Sequence, residues 1–383
     1  MSRITLLLLL VFSTVCSQTE VTFPEYLRQP SDSLKRIALK RSVQDLFKSL
    51  DNVNLDSTLI SNGNTVLTIG TLNKINDYMK AADSTKSVIR NITNVSPIEG
   101  DVFLISAAYI LDVENDSPLL IAQINLVAKE NGEQFQFDIP LDYYTRYWNE
   151  TRIGTTTYVY RDGMDFGIAE QFQAKNEEIA KKLGVEAENL NFYIVDNYQE
   201  VLKLRGIAYS INDNGQYRDG YGVVGNTIFS VMKSPDFSHD MFHYYSGKVN
   251  KRENRNWITE EGLAYLWGDA YYTDKEGKPI SFKRLVDALK EYIEKHPDVN
   301  LYKLFSENIR IYDDIAPEVS VRSTLAGLIA HYVEKKKGKE GIIKLINAGR
   351  KDRLNNFLRV TSEIVNINSR NFNRKVLQLI TDY

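Results

Sequence analysis

Two short segments in the second half of the chain decide how the sequence is interpreted: Ser238-His-Asp-Met-Phe-His-Tyr-Tyr245 and Trp257-Ile-Thr-Glu-Glu-Gly-Leu-Ala264. The chain has four histidines, and two of them, His239 and His243, stand four residues apart. In a helix this spacing places both imidazoles on one face, where they can bind one metal ion. A carboxylate from the following helix would be the third ligand, and a fourth position left to water would make the site catalytic.

Bulk composition limits the class of protein. A length of 383 residues leaves room for two domains of ordinary size, and a hydrophobic content of 43% is enough for sizeable cores. The formal net charge of −3 shows no basic excess, so we do not expect nucleic acid as a partner.

The first 17 residues predict a secretory signal peptide. Arg3 gives a positive start, the run from Ile4 to Phe12 is almost entirely apolar, and small residues follow. The mature chain would begin near Gln18, without a transmembrane segment, in the periplasm or outside the cell. Cys16 is the single cysteine, so the mature protein would carry no disulfide, as suits a bacterial envelope or secreted protein with large cores. Lipid anchoring at Cys16 is the alternative, although a small residue normally precedes a lipidated cysteine.

Hydrophobic periodicity predicts an α+β protein with two domains, divided near residue 150 where the sequence becomes aromatic and charged. For residues 18–150 we predict helices packed on an antiparallel sheet, in a domain whose role the sequence does not indicate. Its predicted elements are a helix at Ser31–Leu50, a β-branched strand at Thr65–Ile69, a helix at Leu72–Ala82, and strands at Val102–Leu111, Leu119–Ala128 and Phe135–Ile139.

Residues 151–383 are predicted to form a short sheet followed by a mostly helical part. The predicted elements are strands at Thr155–Tyr160, Leu190–Val195 and Thr227–Val231, helices at Met164–Leu183 and Asn197–Leu204, the histidine helix near 236–246, the glutamate helix near 259–271, and further helices to the end of the chain.

This second half resembles the gluzincin zinc metallopeptidases, in particular the peptidase-MA-like proteins, over about residues 153–380. Members of that group have an edge strand, a His-Glu-x-x-His helix, and then a helix with Asn-Glu-Gly-hydrophobic-Ala. Here His239-Asp-Met-Phe-His243 occupies the first helix and Glu260-Glu-Gly-Leu-Ala264 the second. The resemblance implies Zn²⁺ held by His239, His243 and Glu261, and a peptide or protein substrate.

Asp240 departs from the family pattern, because it stands where the family has the glutamate that accepts a proton from water. Asp has a similar acidity but is one methylene shorter, and a misplacement of ~1 Å can cost on the order of a hundredfold in rate. Three outcomes stay open: Asp240 serves as the base, zinc binds without efficient catalysis, or the site is a relic. Asp240 also suits the first turn of a helix for purely electrostatic reasons.

The resemblance further implies a tyrosine or histidine that stabilises the oxyanion, and the candidates are Tyr332, His331 and Tyr245. We assign Glu261 as ligand because it directly precedes Gly-Leu-Ala, and we expect Glu260 to be a solvated neighbour. The sequence therefore supports two functions. One is an exported zinc metallopeptidase with Asp240 and Tyr332 as catalytic residues, and the other is a peptidase-fold protein that binds or scaffolds without catalysis.

Overall fold

The structure is a computed structural model, and it describes residues 21–51, 55–81, 88–112, 117–216 and 221–383. The predicted signal peptide, with Cys16, lies outside the described residues. Of the helices that are described, none is both long and apolar enough to cross a bilayer.

The described residues form an α+β protein, which confirms the predicted fold class. The strands are β1 (Val21–Thr22), β2 (Val88–Glu99), β3 (Val102–Leu111), β4 (Leu119–Asn131), β5 (Gln134–Asp138), β6 (Asn149–Ile153), β7 (Thr156–Tyr160), β8 (Leu190–Ile194), β9 (Ile207–Ser210), β10 (Tyr221–Val224) and β11 (Thr227–Ser230). The helices are α1 (Ser33–Asp51), α2 (Thr65–Ala81), α3 (Leu141–Thr145), α4 (Phe166–Leu183), α5 (Tyr198–Leu204), α6 (Ser238–Val249), α7 (Trp257–Gly268), α8 (Phe282–Lys295), α9 (Leu301–Glu307), α10 (Val321–Ile346), α11 (Arg353–Val365) and α12 (Phe372–Asp382).

The chain divides into two compact units that are not contiguous in sequence. Taking the described residues of each range, the first unit comprises Met1–Tyr147 and Gln199–Tyr217, and the second comprises Trp148–Tyr198 and Arg218–Tyr383. The sequence predicts one boundary near residue 150 and an uninterrupted second domain. The structure differs because β9 pairs antiparallel with β4, and this ladder returns the segment to the first unit.

The first unit contains a sheet in the order β1-β2-β3-β4-β5, with β9 paired to β4. All of its ladders are antiparallel except that between β1 and β2. The buried stripe of α1 packs against β5, as the periodicity of Ser31–Leu50 predicts. The predicted strand at Thr65–Ile69 is wrong, because these residues form the first turn of α2. Tertiary packing outweighs a weak local preference of β-branched residues for strands.

The second unit contains a sheet in the order β10-β11-β8-β7-β6. Its inner pairs, β11 with β8 and β8 with β7, are parallel, and its two edge pairs are antiparallel. The crossover helix α4 starts at Asp165, whose side chain accepts from Ile168 N, and ends at Gly184 in the left-handed region. One continuous core joins this sheet to the helices α6–α12.

Close packing of α6, α7 and α10 fixes the part of the second unit that carries the histidines. A Cβ atom at Gly268 would lie 2.6 Å from His239 N, so the end of α7 touches the backbone of α6. A Cβ atom at Gly262 would lie 2.6 Å from Ala326 Cβ, so α7 also lies directly against α10. Side chains larger than hydrogen would force these helices apart.

Candidate metal centre

Helix α6 carries His239 and His243 on one face, as their spacing predicts. The helix starts at Ser238, whose amide donates to Asp236 Oδ1 over 2.9 Å. The two imidazole centroids are 5.1 Å apart. His239 is buried and His243 is half-buried, so both rings lie where water competes weakly for them.

Helix α7 carries Glu261 and is anchored at its start by Asn256. The Asn256 side chain accepts from Ile258 N and Thr259 N, and its Nδ2 donates to Gly349 O and Arg353 O. This double use satisfies two of the free amides at the helix start and ties α7 to the segment before α11. These bonds fix the start of α7 and, with it, the position of Glu261 in the second turn of the helix.

The three predicted metal ligands converge. His243 Nε2 lies 3.2 Å from Glu261 Oε1, and His239 Nε2 lies 3.8 Å from Glu261 Oε2. One ligand atom from each of the three residues lies within 4.8 Å of the other two. The sequence thus identifies all three members of the cluster, including the choice of Glu261 over Glu260.

A hydrogen bond sets the orientation of the His239 ring. Its Nδ1 lies 3.1 Å from the backbone carbonyl of Asp269, and because a carbonyl only accepts, Nδ1 carries the proton. Nε2 then presents a lone pair toward Glu261, which is the tautomer that a metal ion requires. Asp269 has φ 67° and ψ 178°, a conformation found almost only in glycine, which turns its carbonyl toward His239.

The side chain of Asp269 holds this strained residue in place. Its Oδ1 accepts from Phe282 N at 2.8 Å, and its Oδ2 accepts from Lys175 Nζ at 2.8 Å. Lys175 also binds Asp236, which anchors the start of α6, at 3.0 Å. One ammonium group therefore ties together the start of the histidine helix and the carbonyl that orients His239.

His243 is held by stacking. Its ring lies parallel to the indole of Trp257, with an interplanar angle of 6° and centroids 5.5 Å apart. Neither ring nitrogen has a hydrogen-bond partner among the described residues, so the 3.2 Å approach to Glu261 is a close contact without hydrogen-bond geometry. A shielded nitrogen that faces a carboxylate without bonding to it is what a shared cation between the two would produce.

Electrostatics among the protein groups shift the pKa values of the three residues in different directions. Burial, reinforced by the neighbouring His243, lowers the pKa of His239 to about 4, so this ring is neutral near pH 7. Burial acts to raise the pKa of Glu261, but the contact and charge of His243 outweigh it, and the pKa falls below its usual value. For His243, burial is outweighed by the neighbouring carboxylates, and the pKa rises.

Asp240 lines the cavity beside the ligands. Its Oδ2 is shielded from solvent and has no hydrogen-bond partner among the described residues. Burial, with a smaller contribution from Glu261, raises the pKa of Asp240 to about 6, although the nearby His243 opposes the change. Asp240 is therefore a half-buried residue in the first turn of α6, with one carboxylate oxygen shielded from solvent.

Glu260 does not fit the expected solvated position. It is 2% exposed, accepts a hydrogen bond of 2.5 Å from Ser246 Oγ, and lies 3.4 Å from Arg255 Nη1. The tight α6–α7 contact buries this side of α7, so Glu260 is not the solvated residue that the sequence predicts. Glu260 bonds the two helices together, while Glu261 is directed at the histidines.

The oxyanion candidates from the sequence do not meet the ligands. Tyr332 is half-buried on α10 with Lys336 Nζ 5.7 Å from its ring centroid, and His331 packs on Tyr383. Tyr245 is fully buried, and its hydroxyl accepts from Glu188 N at 3.1 Å. None of the three is among the residues that line the cavity in the described part of the chain.

Three other tyrosines, Tyr265, Tyr271 and Tyr272, do line the cavity. Tyr265 is one turn beyond Glu261, and its ring centroid lies 5.6 Å from that of His239. The i, i+4 relation to Glu261 is the signal in the sequence that would have identified it. Trp257, the first residue of α7, is 50% exposed and lines the cavity as well.

The cluster opens into a cavity of about 650 Å³. His239, His243 and Glu261 form part of its wall, so a bound ion would be accessible to a ligand. A volume of this order accommodates a segment of a few amino-acid residues.

The donor set fits a metal ion. Tetrahedral zinc with bonds of about 2.0–2.2 Å separates neighbouring ligand atoms by about 3.3–3.6 Å. With one donor atom taken from each residue, the three atoms lie within 4.8 Å of one another, so side-chain movements of about an ångström would bring them to that spacing. The cluster can therefore hold a metal ion, with two neutral nitrogens and one carboxylate as donors.

Comparison with known proteins does not identify a family for this chain, so the functional assignment depends on the geometry of the site. No protein-family model matches the chain, and no curated protein matches it.

Proposed function

We propose that this chain is an exported zinc-dependent metallopeptidase, with His239, His243 and Glu261 as metal ligands. The observation that carries the proposal is the convergence of the three side chains in an open cavity, with both His243 nitrogens unbonded. The resemblance of His239-Asp-Met-Phe-His243 and Glu261-Gly-Leu-Ala264 to the gluzincin motifs supports a peptide or protein substrate.

Two nitrogens and one carboxylate, with space beside them, favour zinc over a hard cation such as Mg²⁺. When bound, zinc supplies a Lewis acid that polarises a carbonyl and makes water more acidic. The residues of the chain would hold the ligands in place, accept a proton from water and stabilise the oxyanion. Asp269 and Trp257 hold the two imidazoles in their planes, so that the ligand set is preorganised.

Asp240 is the proposed proton acceptor. It is the carboxylate of the cavity wall next to the ligands, and its Oδ2 has no partner in the described chain that would compete for a proton. Its side chain is one methylene shorter than the glutamate of the gluzincins. A water molecule activated by Asp240 would therefore have to bind closer to α6 than it would for a glutamate.

Tyr265 replaces Tyr332 as the proposed oxyanion donor. Its hydroxyl oxygen accepts from Ser320 N at 3.3 Å, and no described group accepts its proton. Burial raises the pKa of Tyr265 well above its usual value, so the hydroxyl stays protonated and can donate.

A binding or scaffold role without catalysis is the second candidate. The shortened carboxylate at Asp240 favours it, because metal binding needs only the three ligands, whereas turnover needs a base at the correct distance.

Metal analysis and two substitutions at one position separate the candidates. Purified protein should contain about one zinc per chain, and His239→Ala should lose it. If the protein is a peptidase, Asp240→Asn abolishes hydrolysis of unstructured peptides while zinc stays bound, and Asp240→Glu preserves or raises the rate. An inert wild type that gains activity only as Asp240→Glu would establish the binding role. Protein that neither contains nor takes up zinc would refute the peptidase and leave only a binding role without metal.

A further inference from the structure

The wall of the cavity carries two arginines that pair with no carboxylate in the described part of the chain. Arg322 lies in the first turn of α10 and Arg353 in the first turn of α11, and both line the cavity that holds His239, His243 and Glu261. Neither arginine forms an ion pair with any described residue.

Arg322 is half-buried and rigidly held. Its Nε donates to Phe305 O at 2.7 Å, its Nη2 donates to Ser306 O at 2.6 Å, and its backbone amide donates to Asn308 Oδ1 at 3.3 Å. These neutral acceptors fix the guanidinium plane but do not neutralise its charge. Its Nη1 makes no hydrogen bond to a described residue, so this end of the fork remains available.

The fold therefore partly desolvates a positive charge without placing a carboxylate of the described residues in an ion pair with it. Burial lowers the pKa of Arg322, and no neighbouring carboxylate acts against that effect. In a structure optimised only for stability, a partly buried guanidinium would be expected to have an acidic partner. A ligand with a carboxylate group would provide this acidic partner, because Arg binds carboxylates through two parallel N–H donors.

The charge of the whole wall agrees with an anionic ligand. Its acidic residues are Asp240, Glu261 and Glu318, against two arginines, so a bound dication brings the formal charge of the lining to +1. Asp240 and Glu261 lie at the histidine cluster. The N-termini of α10 and α11 add positive potential at the arginines.

We propose that Arg322, assisted by Arg353, binds a carboxylate of the peptide that occupies this cavity. The inference rests on the proposed function for the identity of the ligand as a peptide. The carboxylate has two possible sources: the C-terminus of the peptide, or an acidic side chain near the scissile bond. Both present the same planar anion to the guanidinium fork.

Three fluorescent peptides of one sequence distinguish the sources: an amidated peptide with an internal Gln, the same peptide with Glu in place of Gln, and the Gln peptide with a free C-terminus. Zinc-loaded protein is tested for kcat/KM with each peptide, and equilibrium binding is measured by fluorescence anisotropy. We expect one of the two carboxylate peptides to be preferred over the neutral peptide by about 10- to 100-fold, the usual effect of a charge-assisted hydrogen bond.

Arg322→Gln should bring the ratio between the preferred and the neutral peptide toward one. Because Arg322 also bonds two backbone carbonyls, Arg353→Gln provides a second variant at an exposed position, with a smaller loss of the ratio expected. Arg359→Gln removes an arginine of α11 that does not line this cavity, and it should leave the ratio as in wild type.

The outcomes separate the inference from the proposed function. If no peptide is cleaved but anisotropy shows the carboxylate preference and its loss in Arg322→Gln, hydrolysis is refuted and the anion site stands. If peptides are cleaved or bound with no carboxylate preference, or with a preference that both arginine variants retain, the anion site is refuted.

Discussion

Replacing Gly268 by alanine tests whether the contact between α6 and α7 sets the metal site. The new Cβ atom would lie 2.6 Å from His239 N and from Ser238 C, where 3.4 Å is an ordinary contact. The helices must therefore separate locally by about 0.8 Å, and the atoms that move are backbone atoms of the first ligand residue. A metal site tolerates about 0.5 Å of displacement before its geometry degrades.

We expect Gly268→Ala to weaken zinc binding by about 10- to 100-fold, the range seen when support of a ligand is lost. We also expect the free energy of unfolding to fall by about 1–3 kcal/mol, as for other overpacked contacts. A chelator-dye competition titration measures the affinity, and urea denaturation in the absence of metal measures the stability.

The control is Gly70→Ala, inside α2, where a Cβ would meet nothing within 4 Å. Alanine there should stabilise the protein by up to about 1 kcal/mol through helix propensity and leave zinc affinity unchanged. If Gly268→Ala binds zinc as tightly as wild type, the helix contact does not position His239 and the preorganisation argument fails.

Three further predictions follow from the geometry of the centre. Glu261→Gln should abolish zinc binding with little loss of stability in the metal-free protein. Glu260→Gln should keep zinc binding and lower the free energy of unfolding in urea by about 1–3 kcal/mol, because Arg255 loses its buried partner. The reverse pattern would show that Glu260 is the ligand and Glu261 the structural residue. Asp269→Gly should be more stable than Asp269→Ala by about 1–3 kcal/mol and bind zinc more tightly, because only glycine adopts φ 67° and ψ 178° without strain. Equal stabilities and equal zinc affinities of the two variants would show that backbone strain at this position does not matter. Zinc titration should change tryptophan emission, because Trp257 stacks on His243, and a change that persists in Trp257→Phe would contradict this.

The three residues of the cluster, His239, His243 and Glu261, are predictable from the sequence because each depends on local patterns. Two histidines at i and i+4 define one helix face, and the order Glu-Gly-Leu-Ala selects Glu261. Gly262 follows the ligand because α10 leaves no space for a side chain at that point. Periodicity also predicts α1, α4 and six of the eleven described strands, since the buried positions of these elements recur regularly.

The supporting contacts are not predictable, because they depend on distant segments. The carbonyl of Asp269 reaches His239 only through a backbone conformation that no propensity favours for Asp. The burial of Glu260 depends on Ser246 from the neighbouring helix, and the absence of Tyr332 from the cavity depends on the direction of α10. Single-sequence patterns carry no information about which elements come together in space.

Because β9 completes a ladder with β4, the chain leaves the second unit after Tyr198 and re-enters it at residue 218. A truncated protein that begins at Trp148 would consequently retain a strand whose pairing partner had been deleted. Unpaired strands of this kind recruit other chains and promote aggregation. Genetic dissection of the second unit should therefore excise residues 199–217 and join the flanking segments with a short flexible linker.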